Sequence, residues 1–448
     1  MLKVREKIAY GLGDTASNIV FQTVMMFLAF FYTDIYGLSP AFVGFMFLAV
    51  RIIDAVTDPL MGAFADRVQS KYGKFRPFIL FGALPFGVIS VMAFTTPDFS
   101  ADGKMIYAFV TYTLLMLVYT AVNIPYCALG GVLTADPKER VSVQSYRFVC
   151  AFIGGLLVSS LTLPLVDYFG AGDKAKGYQL TILVMSILGV GMFLLCFAGT
   201  KERIQTQIEA KRPFKEDFKA LWQNDQWRVL SLAAIFLLTG NVLKNTIAIY
   251  YVKYYLQQPD SITLFITLGM LSSMLGCMLA QPLAQKVCKV KAYIGLQLAA
   301  AAFCALAYWI AADQLWFAFA AFMAWNFCFN AATPLLWAKM ADAVDYGQWK
   351  TGVRTTGMVY SSIIFFIKLG LAIGGAAAGW LLSGFGYQAD VEQTEQAKHG
   401  ILLSFTLLPA IGSVLVALVM RSYLLNTKKV AEIHQDLQQR GQLGDTAG

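Results

Sequence analysis

The residues best able to do chemistry sit where charge is least welcome. In "RIIDAVTDPLMGAFADR", residues 51–67, Asp54 and Asp58 stand four apart among apolar neighbours. On a helix their carboxylates point the same way. A charge at the bilayer centre costs about 2.5–3.5 kcal/mol on insertion scales, so such groups face a cavity or a partner rather than lipid. Two carboxylates this close repel and call for a cation or a proton between them. A hard ion such as Na⁺ needs further oxygens, which the hydroxyls of Thr57 on the same helix and Thr120 in "YTAVN" can supply. A fixed pair of Asp54 with Arg51 or Arg147 is the structural alternative, and it leaves Asp58 unexplained.

Other polar groups interrupt apolar segments: Asn18, Asn123, Arg147 in "VQSYRFVCAF" and Lys368 in "IIFFIKLGLAIGG". The two asparagines also suit plain interhelical hydrogen bonds. Arg51 and Lys244 read as nearer helix ends, where long cationic side chains snorkel. Converging donors and acceptors beside rings such as Tyr119, Tyr126 or Trp337 suit a carbohydrate, whose hydroxyls need partners and whose C–H face packs on aromatics. The seven cysteines lack paired spacing and read as packing residues, and neither His399 nor His434 looks like a ligand.

These groups need a frame, and composition supplies one. Of 448 residues 58% are hydrophobic and 14% charged, against roughly 25% charged in soluble domains, which makes the chain a membrane protein. Apolar stretches near the roughly 20 residues of a bilayer-crossing helix recur twelve times. The expected spans are 15–36, 41–64, 75–96, 105–133, 143–168, 178–199, 228–256, 261–285, 291–311, 315–340, 352–384 and 399–424. The first is too long, and lacks the cleavage site, for a removable signal.

The net charge of +8 follows topology rather than a nucleic-acid partner. Alternate loops collect the basic residues, from Lys3, Arg5 and Lys7 through Lys201–Lys219 to Lys428 and Lys429. The positive-inside rule makes those loops and both termini cytoplasmic.

The charged connection 200–227 separates an N-terminal six-helix bundle, 1–199, from a C-terminal one, 228–424, with a cytoplasmic tail at 425–448. Its "FKEDFKALWQ" reads as a short amphipathic helix on the inner membrane face. The tail's "KKVAEIHQDLQQRGQ" reads as a solvated helix, with room for a cytoplasmic regulator. Two equal halves around a central linker outline a transporter holding its substrate between two bundles. No phosphate-binding G-x-x-x-x-G-K-[ST] loop occurs, and "YGLGDT" reads as a glycine pair before a helix, so an ion gradient is the simplest energy source. No enzymatic constellation, cofactor motif or obligate protein partner is evident.

Gly62, Asp66, Arg67 and Lys71 form G-x-x-x-D-R-x-x-x-K, which resembles the gate-latching loop of the major facilitator superfamily. With Asp342, Asp345 and Arg354 it makes an expected cytoplasmic gate. Over nearly its whole length the chain resembles the glycoside-pentoside-hexuronide:cation symporters, the family of the melibiose carriers. The resemblance rests on "EKIAYGLGD", "FFYTDIYGLS", "RIIDAVTDPLMG", "GKFRPFIL", "VYTAVNIPYCALGG", "ADAVDYGQWKTGVRTTG" and "FFIKLGLAIGG", in order. It implies an all-α polytopic protein of the bacterial inner membrane, with twelve transmembrane helices in two bundles of the major facilitator fold.

It further implies a coupling cation, Na⁺ or H⁺, at Asp54, Asp58 and Thr120. The implied sugar site is Asn18, Tyr119, Asn123, Cys127 and Arg147, with Lys368 near both. The melibiose carriers have aspartates where Asn18 and Asn123 stand, a tryptophan at Cys127 and an asparagine at Thr57, so α-galactoside specificity does not carry over. The pattern looks more like the pentoside and glucoside carriers, which ranks xylosides and related small oligosaccharides first. Arg147, read as an open positive centre, keeps a hexuronide in view. A lipid or lysolipid carrier and a non-transporting sugar sensor are the rival readings.

Overall fold

The computed structural model describes residues 2–204, 214–387 and 392–440, and the statements below concern those residues. Fifteen α-helices form the chain. The first unit, up to Asp217 together with Thr355–Ser361, contains α1 (Val4–Thr23), α2 (Pro40–Arg67), α3 (Arg76–Ala93), α4 (Ala101–Gly130), α5 (Pro137–Gly170) and α6 (Lys174–Gly199). α1 continues through π-helical turns at Val24–Leu28 and Phe31–Ile35. It packs on α5 and α6, α3 packs on α4 and α6, and α2 lies along α4.

The linker helix α7 (Phe214–Gln223) forms where the amphipathic pattern predicts one, with Phe218 and Trp222 exposed. Residues 205–213 of the linker lie outside the described residues.

The second unit, Phe218–Arg354 and Ser362–Gln442, contains α8 (Asp225–Tyr250), α9 (Ile262–Lys286), α10 (Lys289–Leu306), α11 (Leu315–Thr351) and most of α12 (Thr356–Gly384). It ends with α13 (Glu395–Phe405), α14 (Leu407–Met420) and α15 (Thr427–Gln439). There α11 packs on α9 and α10, and α14 packs on α8 and α10.

Among the described residues 10 spans are long and apolar enough to cross a membrane, from Arg76–Ala93 to Glu395–Met420. They match the third to twelfth expected segments. α1 and α2 occupy the first two, and their charged residues lower their hydropathy. Polar side chains cap the helix starts: Ser39 accepts from Phe42 N, Ser100 from Gly103 N and Asn224 from Trp227 N.

Three local expectations need correction. α1 begins at Val4, not near residue 15, so "YGLGD" lies inside the helix rather than before it. The last span is broken: Thr406, at φ −111° and ψ −79°, separates α13 from α14. The tail helix α15 is not simply solvated. Val430, Ile433 and Leu437 share one face and are buried, and the helix packs on α11.

Candidate functional site

Asp54 and Asp58 are buried on α2, at 1% and 0% exposure. Thr120 on α4 donates its hydroxyl to Asp58 Oδ1 at 3.0 Å. Thr57 Oγ1 is buried without a hydrogen-bond partner, an oxygen in reserve beside the two acids. Pro59 lies inside the same helix and has no N–H, so the Ala55 carbonyl loses its regular intrahelical donor. Carboxylate, hydroxyl and carbonyl oxygens thus gather on one turn, which is the donor set a hard monovalent cation takes. Arg51 reaches Asp54 Oδ2 at 3.4 Å from a side chain 39% exposed, a pair that touches only one of the two acids.

A third acid, Asp14, absent from the expected site, organises the neighbouring cluster. Arg147 on α5 donates Nε to Asp14 Oδ2 at 3.0 Å and Nη2 to Asp14 Oδ1 at 3.4 Å. It also donates Nη1 to Gln144 Oε1 and Nη2 to Cys127 Sγ, each at 3.4 Å. The rings of Tyr126 and Phe148 lie 5.3 and 5.2 Å from the guanidinium carbon. Arg147 is therefore not the open positive centre expected of it.

The glycines of "YGLGD" explain how Asp14 gets there. A Cβ at Gly13 would lie 2.5 Å from Tyr126 Cε2, and one at Gly11 would lie 2.7 Å from Cys150 Sγ. Only glycine lets the α1 backbone come this close to α4 and α5.

Around this pair stand the other expected residues of the first unit. Asn18, one turn after Asp14, donates Nδ2 to the Asp14 carbonyl at 2.9 Å. Cys127 donates Sγ to Asn123 Oδ1 at 3.5 Å. Tyr119 stacks on Phe21 with centroids 5.4 Å apart and lies 6.2 Å from the Phe86 ring. Trp337 on α11 and Lys368 on α12 are half-buried in the second unit.

The family "MFS/sugar transport protein" matches residues 9–427. The chain is 43% identical to the inner membrane symporter YicJ of Escherichia coli over 98% of its own length and 96% of that protein. It is 33% identical to the isoprimeverose transporter of Lactiplantibacillus pentosus, over 99% and 94% of the two chains. The outward-facing major facilitator transporter FucP superposes with a TM-score of 0.70 at 12% identity, covering 94% of this chain and 99% of that one, a likeness of fold. The chain belongs to the glycoside-pentoside-hexuronide:cation symporters of the major facilitator superfamily.

Each unit of this symporter holds some of the expected gate residues. In the first unit Asp66 accepts from Met358 N at 3.0 Å and pairs with Lys74 at 3.1 Å, while Arg67 pairs with Asp217 at 2.5 Å. Gly62 lets α2 lie against the first turn of α12, since a Cβ there would run into Ser361 and the Gly357 carbonyl. Glu202 accepts from the backbone N–H groups of Lys74, Phe75 and Arg76, fixing the loop at the start of α3.

In the second unit Asp342 pairs with Lys289 and is buried. Asp345 accepts from Arg354 Nη1 at 2.8 Å, and His434 Nε2 of the tail lies 2.8 Å from its other oxygen. His434, set aside on sequence, is thus a partner of an expected gate carboxylate.

Lys244 also departs from expectation. It sits deep in α8 at 1% exposure, not at a helix end. Its ammonium donates to the Phe405 carbonyl at 2.9 Å and to Cys304 Sγ at 3.2 Å, and it lies 3.7 Å from the Phe405 ring centroid. Pro409, four residues on, has no N–H to return to that carbonyl, and Lys244 satisfies it.

Proposed function

We propose that this protein is a cation-coupled symporter of a glycoside, a xyloside or related small oligosaccharide, working by alternating access in a bacterial inner membrane with both termini cytoplasmic. The observation that carries the reading is the oxygen cluster of Asp58, Thr120, Asp54 and the partnerless Thr57 hydroxyl, with the Asp14–Arg147 cluster in the same unit. A Na⁺ ion or a proton neutralises the Asp54 and Asp58 pair, and the sugar binds beside it at Asn18, Tyr119, Asn123, Cys127 and Arg147. Lys368 and Trp337 take part from the second bundle. Cation binding favours the sugar-competent state, and by linkage the sugar tightens the cation equally.

The ion pairs at Asp66 and Arg67, and those at Asp342, Asp345 and Arg354, serve as the inner gate and rearrange through the cycle. The isoprimeverose transporter among the relatives supports a sugar substrate of this kind. For one translocated charge the membrane potential supplies about 2.3 kcal/mol per 100 mV, enough for about fiftyfold accumulation when coupling is tight.

Uptake into energised vesicles tests the reading, with xylosides, glucosides and galactosides under imposed Na⁺, Li⁺ or pH gradients. Accumulation that follows one gradient and collapses with it is expected, and the gradient that drives it names the ion. Binding with no gradient-driven flux of any sugar would overturn symport and mark a sensor.

A further inference from the structure

We infer that Asp14 sets the charge class of the substrate: by occupying the Arg147 fork it makes the site one for a neutral glycoside and closes it to hexuronides. The inference rests on the reading that Arg147 lines the sugar site, and it narrows that reading. A guanidinium recognises a sugar carboxylate through two parallel N–H donors on one edge. Here the Nε/Nη2 edge is held by Asp14, Nη1 by Gln144, the second contact of Nη2 is Cys127, and two rings lie within cation–π distance.

Asp14 is 4% exposed and Arg147 4%, so water does little to screen a second carboxylate brought to the pair. The surrounding charge works the same way. Within the first unit the buried site acids are Asp14, Asp54 and Asp58, while the positive charges beside them are Arg147, Arg51 on Asp54 and, when bound, one coupling cation. No surplus positive charge is left there to hold an anion.

For a neutral sugar the same geometry is favourable. An ionised carboxylate offers about four acceptor positions. Arg147 bonds Asp14 closely through one oxygen and loosely, at 3.4 Å, through the other. Asp14 can therefore accept a sugar hydroxyl while Arg147 keeps it oriented. Asn18, one turn further along α1, presents an amide on the same helix.

The test uses the full-length protein in energised vesicles and matched p-nitrophenyl glycosides: glucoside with glucuronide, and galactoside with galacturonide. In the wild type the neutral member of a carried pair should inhibit uptake at least about tenfold better than its uronide. Asp14→Asn should shrink that preference by about tenfold through new uronide affinity. Asp14→Glu should restore uronide exclusion, and Asp14→Asn combined with Arg147→Gln should lose the uronide gain. A wild type that carries the uronide as well as its neutral partner overturns the inference and leaves sugar symport standing. So does a folded Asp14→Asn protein, confirmed by its melting temperature, whose preference is unchanged. A wild type that carries none of these sugars or xylosides overturns the underlying reading instead. The wild-type comparison decides the matter even where Asp14→Asn does not fold.

Discussion

Two buried cations in this symporter solve the same problem by different means. Arg147 in the first unit is matched by a carboxylate, Asp14, in a two-point ion pair with 3.0 and 3.4 Å contacts. Lys244 in the second unit touches no carboxylate among the described residues. A backbone carbonyl, a thiol and the rings of Phe405, Trp325 and Phe322 receive its ammonium. The first arrangement leaves acceptor capacity beside the polar side chains proposed for the sugar site. The second closes off an orphan carbonyl at a helix break and leaves nothing to recognise. Burial of a charge in a membrane bundle is thus a sign of function only when its partners keep hydrogen-bonding capacity to spare.

The contrast can be broken experimentally. The largest effect is expected in the acid-rich first unit. Asp58→Asn should reduce accumulation from about fiftyfold per 100 mV to about onefold, measured as labelled sugar inside vesicles. Gradient-driven accumulation that survives this substitution would remove the cation site from Asp58.

Next comes Lys244→Ala, which opens a cavity and strips the Phe405 carbonyl of a donor. A loss of about 2–4 kcal/mol should appear as a lower melting temperature in detergent, with the ratio of neutral to acidic sugar affinity unchanged. A change in that ratio would mean Lys244 recognises the ligand after all.

Thr120→Ala removes one hydroxyl from Asp58 and should weaken the coupling cation by about tenfold, near 1.4 kcal/mol, read from the cation concentration that half-activates uptake. Unaltered half-activation would place the ion elsewhere on α2.

The smallest effect belongs to His434→Leu. It removes one contact to a carboxylate that Arg354 still holds, and should cost under about 1 kcal/mol. Faster proteolysis of the tail, with initial uptake rates changed less than about twofold, is the expected result. Uptake that fell as far as with a charge reversal at Asp345 would raise His434 to an equal partner in the gate.

What the sequence disclosed and what it concealed have one physical boundary. Asp54 and Asp58 were legible because four-residue spacing on an apolar helix is local geometry. Asp14 stands four residues before Asn18, and the same rule applied there finds it. The first span was expected to begin at residue 15, however, which left Asp14 outside the membrane. Lys244 was misjudged for a related reason: its segment alone does not reveal that α13 ends at Phe405 and leaves a carbonyl facing α8. His434 looked solvated because the apolar stripe of α15 is only three residues, too faint a pattern without α11 to receive it.

The sequence by itself determined the solvent this protein lives in, its helices, its family and the turn of α2 that carries two acids. All of these depend on composition and on neighbours within a few residues. Only the tertiary structure decided which charges meet. Asp14 and Arg147 are 133 residues apart, and Lys244 and Phe405 are 161 apart. Ion pairing and hydrogen bonding at such separations depend on which helices pack side by side. It was that packing which turned Arg147 from an open cation into one already claimed.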